Sequence, residues 1–171
     1  MSYNIDNLHS TLDYAIAYTK KGFSIIPLHK KSKRPSIYKW EPFRQAHASK
    51  EQLENWFSAE FADNNIGIIT GKISSIFAID IDGDNAYEYY LSKIESLSDR
   101  QLIDANENTM KIITGSGNIN IVFGFNPQDF SQDELRNLIL WRDNYNSVEN
   151  SLEKDDTNHK HSEIRLKGEG A

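Results

Sequence analysis

The sequence predicts an α+β fold: a four-stranded sheet of order βαββαβ over 75–171, preceded by a smaller α/β portion over 1–74. Three observations carry this. From residue 75 the apolar patterning switches between period two and period 3.6 in the order strand, helix, strand, strand, helix, strand. The strands SIFAIDID, NINIVFGF and SEIRLK alternate apolar and polar residues, as strands covered on one face do. Ahead of them, two short apolar runs ended by Pro27 and Gly71 each follow a segment with helical spacing.

In the first portion, Leu8, Leu12, Ala15, Ile16 and Thr19 recur at three- and four-residue intervals, which predicts a helix over 8–21 stopped by Gly22. FSIIPL (23–28) is a strand. Residues 29–48 are polar and basic, with Pro35 and Pro42, and read as a loop. Ser49 to Gln52 is a capping box for a helix with Leu53, Trp56 and Phe57 on one side. NIGIIT (65–70) is a second strand.

In the second portion, SIFAIDID (75–82) is the first strand. Asn85 and Glu88 pair as a cap for a helix through Leu97, with Ala86, Tyr90, Ile94 and Leu97 inward. MKIIT (110–114) and NINIVFGF (118–125) flank Gly115-Ser116-Gly117, a hairpin signature. Ser131 to Glu134 is a capping box leading a helix with Leu135, Leu138 and Ile139. Residues 142–161 are polar and expected to be exposed, and SEIRLK (162–167) is the last strand. This order is the ferredoxin-like split βαβ arrangement. Right-handed crossovers give the spatial order 4-1-3-2, with both helices on one face and the other face open.

The 171 residues suffice for one domain or a compact domain with a small module. With no cysteine, disulfide frameworks, cysteine zinc sites and thiol nucleophiles are excluded. No apolar run is long enough to span a membrane and the N-terminus has no signal pattern, so a cytoplasmic setting without membrane association is expected. The net charge of −6 gives no bulk attraction to nucleic acid. A local patch would have to supply it, and Lys30, Lys31, Lys33, Arg34 and Lys39 form one, without a carboxylate among them.

Alternation puts Phe77, Ile79 and Ile81 on the helix-covered face and Asp80 and Asp82 on the other, with Cα atoms about 6.5–7 Å apart. Such a pair can hold one or two hard cations. The predicted strand order brings the starts of the third and fourth strands beside them. Asn120, Glu163 and the Gly-Ser-Gly turn therefore converge with Asp80 and Asp82 from three stretches of chain far apart in sequence, and Arg165 shares the open face with Glu163. Each piece alone has a plain reading: a solvated strand end, an exposed strand pair, a simple turn. DIDGD also matches part of a calcium loop, but Leu91 stands where a bidentate Glu belongs.

Taken in series, the motifs resemble the N-terminal domain of bifunctional DNA primase/polymerases, the prim-pol branch of the archaeo-eukaryotic primase superfamily. DYAIAYTKKGFSIIPL, KRPSIYKW, NIGIITGKISSIFAIDID, TGSGNIN and SEIRLKGEG carry the resemblance in order and spacing over nearly the whole chain. It implies an RRM-like catalytic core and two-metal nucleotidyl transfer from NTP or dNTP to a primer 3′-hydroxyl. It implies two divalent cations, Mg²⁺ or Mn²⁺, on Asp80, Asp82 and Glu163, and triphosphate contacts from Ser116, Gly117 and the position of Asn120. Arg165, Lys111 and Lys72 are further candidates for the triphosphate. The Lys30–Lys39 loop is the candidate for the single-stranded template and primer, and a fused or separate helicase is an expected partner.

The sequence departs from the family pattern at two turn positions, with Asn118 in place of Gly and Asn120 in place of His. Asparagine donates a hydrogen bond to phosphate but carries no charge, so weakened nucleotide binding is expected. The chain ends at Gly170-Ala171, where the family continues into a further strand, so a truncated core is expected. Two other function classes share the same residues: a noncatalytic module binding nucleotide or single-stranded DNA, and a metal-dependent phosphatase or nuclease.

Overall fold

A computed structural model describes residues 8–58, 61–130, 136–143 and 162–168. These divide into two compact units. One holds the described residues up to Ser75 together with Asn126–Gln128; the other holds those of Ile76–Phe125 and Asp129–Gly168.

In the first unit, helix α1 (Thr11–Lys20) begins later than its apolar spacing implies. Ser10 and Asp13 form a reciprocal capping box there: the Ser10 hydroxyl accepts from the Asp13 N–H, and the Asp13 carboxylate from the Ser10 N–H. Strands β1 (Ser24–Leu28) and β2 (Asn65–Ile69) pair antiparallel. Helix α2 (Lys50–Phe57) starts at the predicted Ser49–Gln52 box. Ala15, Ile25, Leu53, Phe57 and Ile69 form its core. The segment read as a loop over 29–48 is more ordered than that. Leu28 bridges Pro35, the His29 N–H donates to the Arg34 carbonyl at 2.9 Å, and Glu41–Arg44 is a 3₁₀ turn that buries Phe43.

The second unit is a five-stranded antiparallel sheet. Its strands are β3 (Ile76–Asp82), β4 (Met110–Ile113), β5 (Ile119–Gly124), β6 (Leu138–Arg142) and β7 (Glu163–Lys167), in the order β4-β5-β3-β7-β6. The four expected strands lie in the expected order, and β6 is added at the edge. The sequence predicts a helix with Leu138 and Ile139 and a polar stretch starting at Arg142. All three are in β6 instead, because their backbone pairs with β7. The rest of that expected helix (131–135), and the polar stretch from 144 to 161, lie outside the described residues.

Helix α3 (Asp84–Glu95) packs over β3 and β7. Its start is not the expected Asn85–Glu88 pair: Gly83 occupies the cap position and no side chain caps the end. A helix absent from the sequence reading, α4 (Arg100–Glu107), follows, capped by the Asp99 carboxylate, which accepts from the Gln101 N–H at 2.8 Å. The buried Tyr90 hydroxyl donates to the Asn106 side chain and ties α3 to α4; burial pushes the Tyr90 hydroxyl up to about 12.

The sheet's inner face, toward α3, carries Ile79, Ile81, Ile121 and Ile164 against Ala86 and Tyr90. Phe77 stacks on Phe123 at 5.3 Å between centroids, and Trp141 stacks on Tyr89 of α3 at 4.8 Å. Fully burying each such apolar side chain is worth about 1.5–3 kcal/mol, enough to fix which face turns inward. The outer face is not open throughout, as the sequence reading had it: Ile76 and Ala78, which share it, are each 8% exposed.

Candidate active site

Strand register assembles the outer face row by row. Asp80 is the cross-strand partner of Asn120 on β5 and of Arg165 on β7; Asp82 is the partner of Glu163. Directly opposed side chains on one face sit about 4.5–5.5 Å apart at Cβ, within reach of each other. The two aspartates, Asn120, Glu163 and Arg165 are therefore neighbours on one face.

Each carboxylate there has a partner from the chain itself. Asp82 accepts a hydrogen bond from the Asn118 side-chain amide. Asp80 lies 3.6 Å from the Lys167 ammonium. Glu163 is held from both sides: Arg142 donates to Oε2 through Nη2 at 2.8 Å and Nε at 3.2 Å, while Arg165 pairs with Oε1. Burial acts to raise the Glu163 carboxyl. The hydrogen bonds and charges of Arg142 and Arg165 together outweigh it and hold the group below its ordinary range.

Arg142 is the residue the sequence reading missed, and a bulge explains both its position and the oversight. Ile139 pairs with Arg165 but Trp141 pairs with Ile164, so β6 spends one extra residue at Leu140. Strict alternation from Ile139 would send Trp141 outward and Arg142 inward. The bulge exchanges them, so Trp141 meets Tyr89 and Arg142 meets Glu163.

The turn of KIITGSGNINIVFGF closes tightly. The Gly117 N–H donates to the Thr114 carbonyl at 2.9 Å and the Thr114 N–H to the Asn118 carbonyl at 2.8 Å, with Gly117 at φ +84°. That is a three-residue hairpin loop ending in a left-handed glycine. The Gly117 amide is therefore spent inside the turn, while Gly115 and Ser116, both exposed, donate no backbone hydrogen bond to a described residue. The Ser116 hydroxyl lies 3.0 Å from that of Thr114. Asn120 makes no side-chain hydrogen bond to a described residue, and the buried Arg165 Nε has no acceptor among them.

Other candidates lie elsewhere. Lys111 pairs with Ile121, so the register sets it on the inner-face side of edge strand β4, away from the carboxylates. Lys72 is in the turn after β2, in the first unit. Lys30, Lys31, Lys33, Arg34 and Lys39 are all exposed in that same unit, and Lys30 pairs with Asp63 at 2.6 Å. Beside Lys39, Tyr38 is 95% exposed, an aromatic the charge pattern did not single out.

Gly83 was also missed. At φ +94° it links Asp82 to α3, and an added Cβ would strike the Ser162 side chain and come within 3.3 Å of its Cα. No local pattern announces this, because Ser162 arrives from the far end of the chain.

The expected metal cluster shares a face but not a common point. Among the described residues, no three His, Asp or Glu side chains are gathered as a cation site. By chemistry and register the donors still fit a hard cation: three carboxylates on neighbouring strands, all directed to one face. What stands in the way is the set of intramolecular partners just described.

An α+β unit with carboxylates, a glycine turn and guanidinium groups gathered on one sheet face is of the primase type. The family described as bifunctional DNA primase/polymerase, N-terminal (Prim-Pol), matches residues 15–170, and the chain belongs to it. Such domains are of DNA primase/polymerase function and typically use divalent metals. No curated protein matches the chain significantly. No helix among the described residues is long and apolar enough to cross a membrane.

Proposed function

We propose that the chain transfers nucleotides from NTP or dNTP to a primer 3′-hydroxyl on a single-stranded DNA template. The observation that carries this reading is the row structure of the outer face, where Asp80, Asp82, Glu163, Arg165 and Asn120 are register neighbours. Asp80, Asp82 and Glu163 would hold two Mg²⁺ or Mn²⁺ ions. Bound there, such ions activate the 3′-hydroxyl and neutralise the leaving pyrophosphate.

The chain's own groups do the positioning. The Gly115 and Ser116 amides, with the Ser116 hydroxyl, are donors for phosphate oxygens, and the partly exposed end of the Arg165 guanidinium is another. Asn120, beside Asp80, is a neutral donor to the triphosphate. The Lys30–Lys39 loop meets backbone phosphates, and Tyr38 offers a face on which a template base stacks. The test is extension of a primed single-stranded template with Mg²⁺ or Mn²⁺. Cation-dependent extension is expected; absence of both extension and nucleotide binding would refute the reading.

A second reading is favoured by one observation: every carboxylate of the site is engaged by a donor of the chain. In it the chain binds nucleotide or single-stranded DNA without transfer. Asn120→His separates the two. A large gain in incorporation marks a weakened polymerase; unchanged binding with no incorporation marks a binding module.

A further inference from the structure

The strand residues of the outer face carry three carboxylates, Asp80, Asp82 and Glu163, and three cations, Arg142, Arg165 and Lys167. Their formal charges cancel. A face that is already neutral has little pull on a free divalent cation, because the attraction of the carboxylates is spent on groups the chain supplies. Glu163 is the most fully committed of the three. Its side chain is 10% exposed and both oxygens are taken.

The two guanidiniums on Glu163 are not equivalent. Arg165 sits on β7, flanked by β3 and β6, with its Nε buried. Arg142 sits on edge strand β6, just past the bulge, and its side chain is 47% exposed. It can leave Glu163 for water by rotating its own side chain, without disturbing the sheet. A guanidinium released there is a forked donor suited to phosphate oxygens.

Resting on the nucleotidyl-transfer reading, we infer that Arg142 competes with divalent cations for Glu163, so that the chain takes up cation and triphosphate together rather than cation first. The triphosphate supplies the negative charge that added cations require, and it gives Arg142 a new partner. Arg142 thus sets the order of binding through Glu163 and, once released, holds the triphosphate.

The test is Mn²⁺ titration of the full chain, followed by electron paramagnetic resonance, with and without a nonhydrolysable deoxynucleoside triphosphate. Wild type should bind Mn²⁺ weakly alone and roughly tenfold or more tightly with the analogue, a coupling of ordinary size for two ligands. Arg142→Gln should tighten binding of Mn²⁺ alone by a similar factor and shrink the coupling. Arg142→Lys keeps the charge but loses the two-nitrogen grip, and should fall between them. Melting curves identify which variants are folded, and if Arg142→Gln is not, wild type against Arg142→Lys still gives the order. Wild type binding Mn²⁺ alone as tightly as with the analogue would overturn the inference, as would variants that leave Mn²⁺ affinity unchanged. Failure of the analogue to bind under any condition would instead remove the nucleotidyl-transfer reading, while the Mn²⁺-alone series would still decide the competition.

Discussion

The two faces of the five-stranded sheet are made by the same strands and do opposite work. On β3, Ile79 and Ile81 face α3 while Asp80 and Asp82, one residue along, face the other way. The inner face is held by burial, which is indifferent to direction. The carboxylate-bearing part of the outer face is held by ion pairs and hydrogen bonds, each of which a cation or phosphate can replace. The lesson is that the core and the candidate site share one register. A one-residue slip would bury the carboxylates and expose the isoleucines.

The strongest way to break this comparison is to put a charge on the wrong side. Ile81 is 1% exposed, and Ile81→Asp should cost more than about 4 kcal/mol and abolish cooperative unfolding, because the new carboxylate has no partner. A folded, stable Ile81→Asp protein would mean that the faces are wrongly assigned.

A smaller effect separates the two positive-φ glycines beside the site. At Gly117 nothing lies within 4 Å of an added Cβ, so Gly117→Ala should cost about 1 kcal/mol from backbone strain alone. Gly83→Ala would hold a side chain at φ +94° and ψ 159°, a region essentially reserved for glycine, and would also collide with Ser162, so it should cost about 2 kcal/mol or more. Urea unfolding of the two variants checks the order. Equal losses would mean that β7 does not close against Gly83.

The gentlest probe is pH. The Glu163 carboxyl lies below its ordinary 4.5 in the folded chain, so its ionised form stabilises the fold above that pH, and the contribution fades as pH falls through the folded value. The stability difference between wild type and Glu163→Gln should be constant above about pH 4.5 and shrink below it. A gap that widens on acidification would contradict the Arg142–Glu163–Arg165 arrangement. Ile81→Val, an inner-face change, should show no such pH dependence.

What was legible in the sequence follows the same division. β3, β5 and β7 could be read because covered strands alternate, and their spatial order followed from the handedness of crossovers. The shared face of Asp80, Asp82, Asn120 and Glu163 was therefore available before any coordinates. β6 was not. LILWR is a short apolar run that serves a helix or a strand equally, and the bulge at Leu140 erases its alternation. With β6 went Arg142, and with Arg142 the reason Glu163 is engaged. Helix α4 does leave a signal, the cap residue Asp99 ahead of RQLIDANE. The role of Gly83 left none, since it depends on a residue nearly eighty positions away.

The claim at the centre of this account is that the outer face carries the chemistry and the inner face only the fold. Primer extension by the double variant Asp80→Asn, Asp82→Asn, run beside its melting curve, tests it most directly. The account predicts a variant that melts as a folded protein and has lost extension by roughly a thousandfold, about 4 kcal/mol of transition-state stabilisation. Extension at the wild-type rate by that folded variant would contradict it.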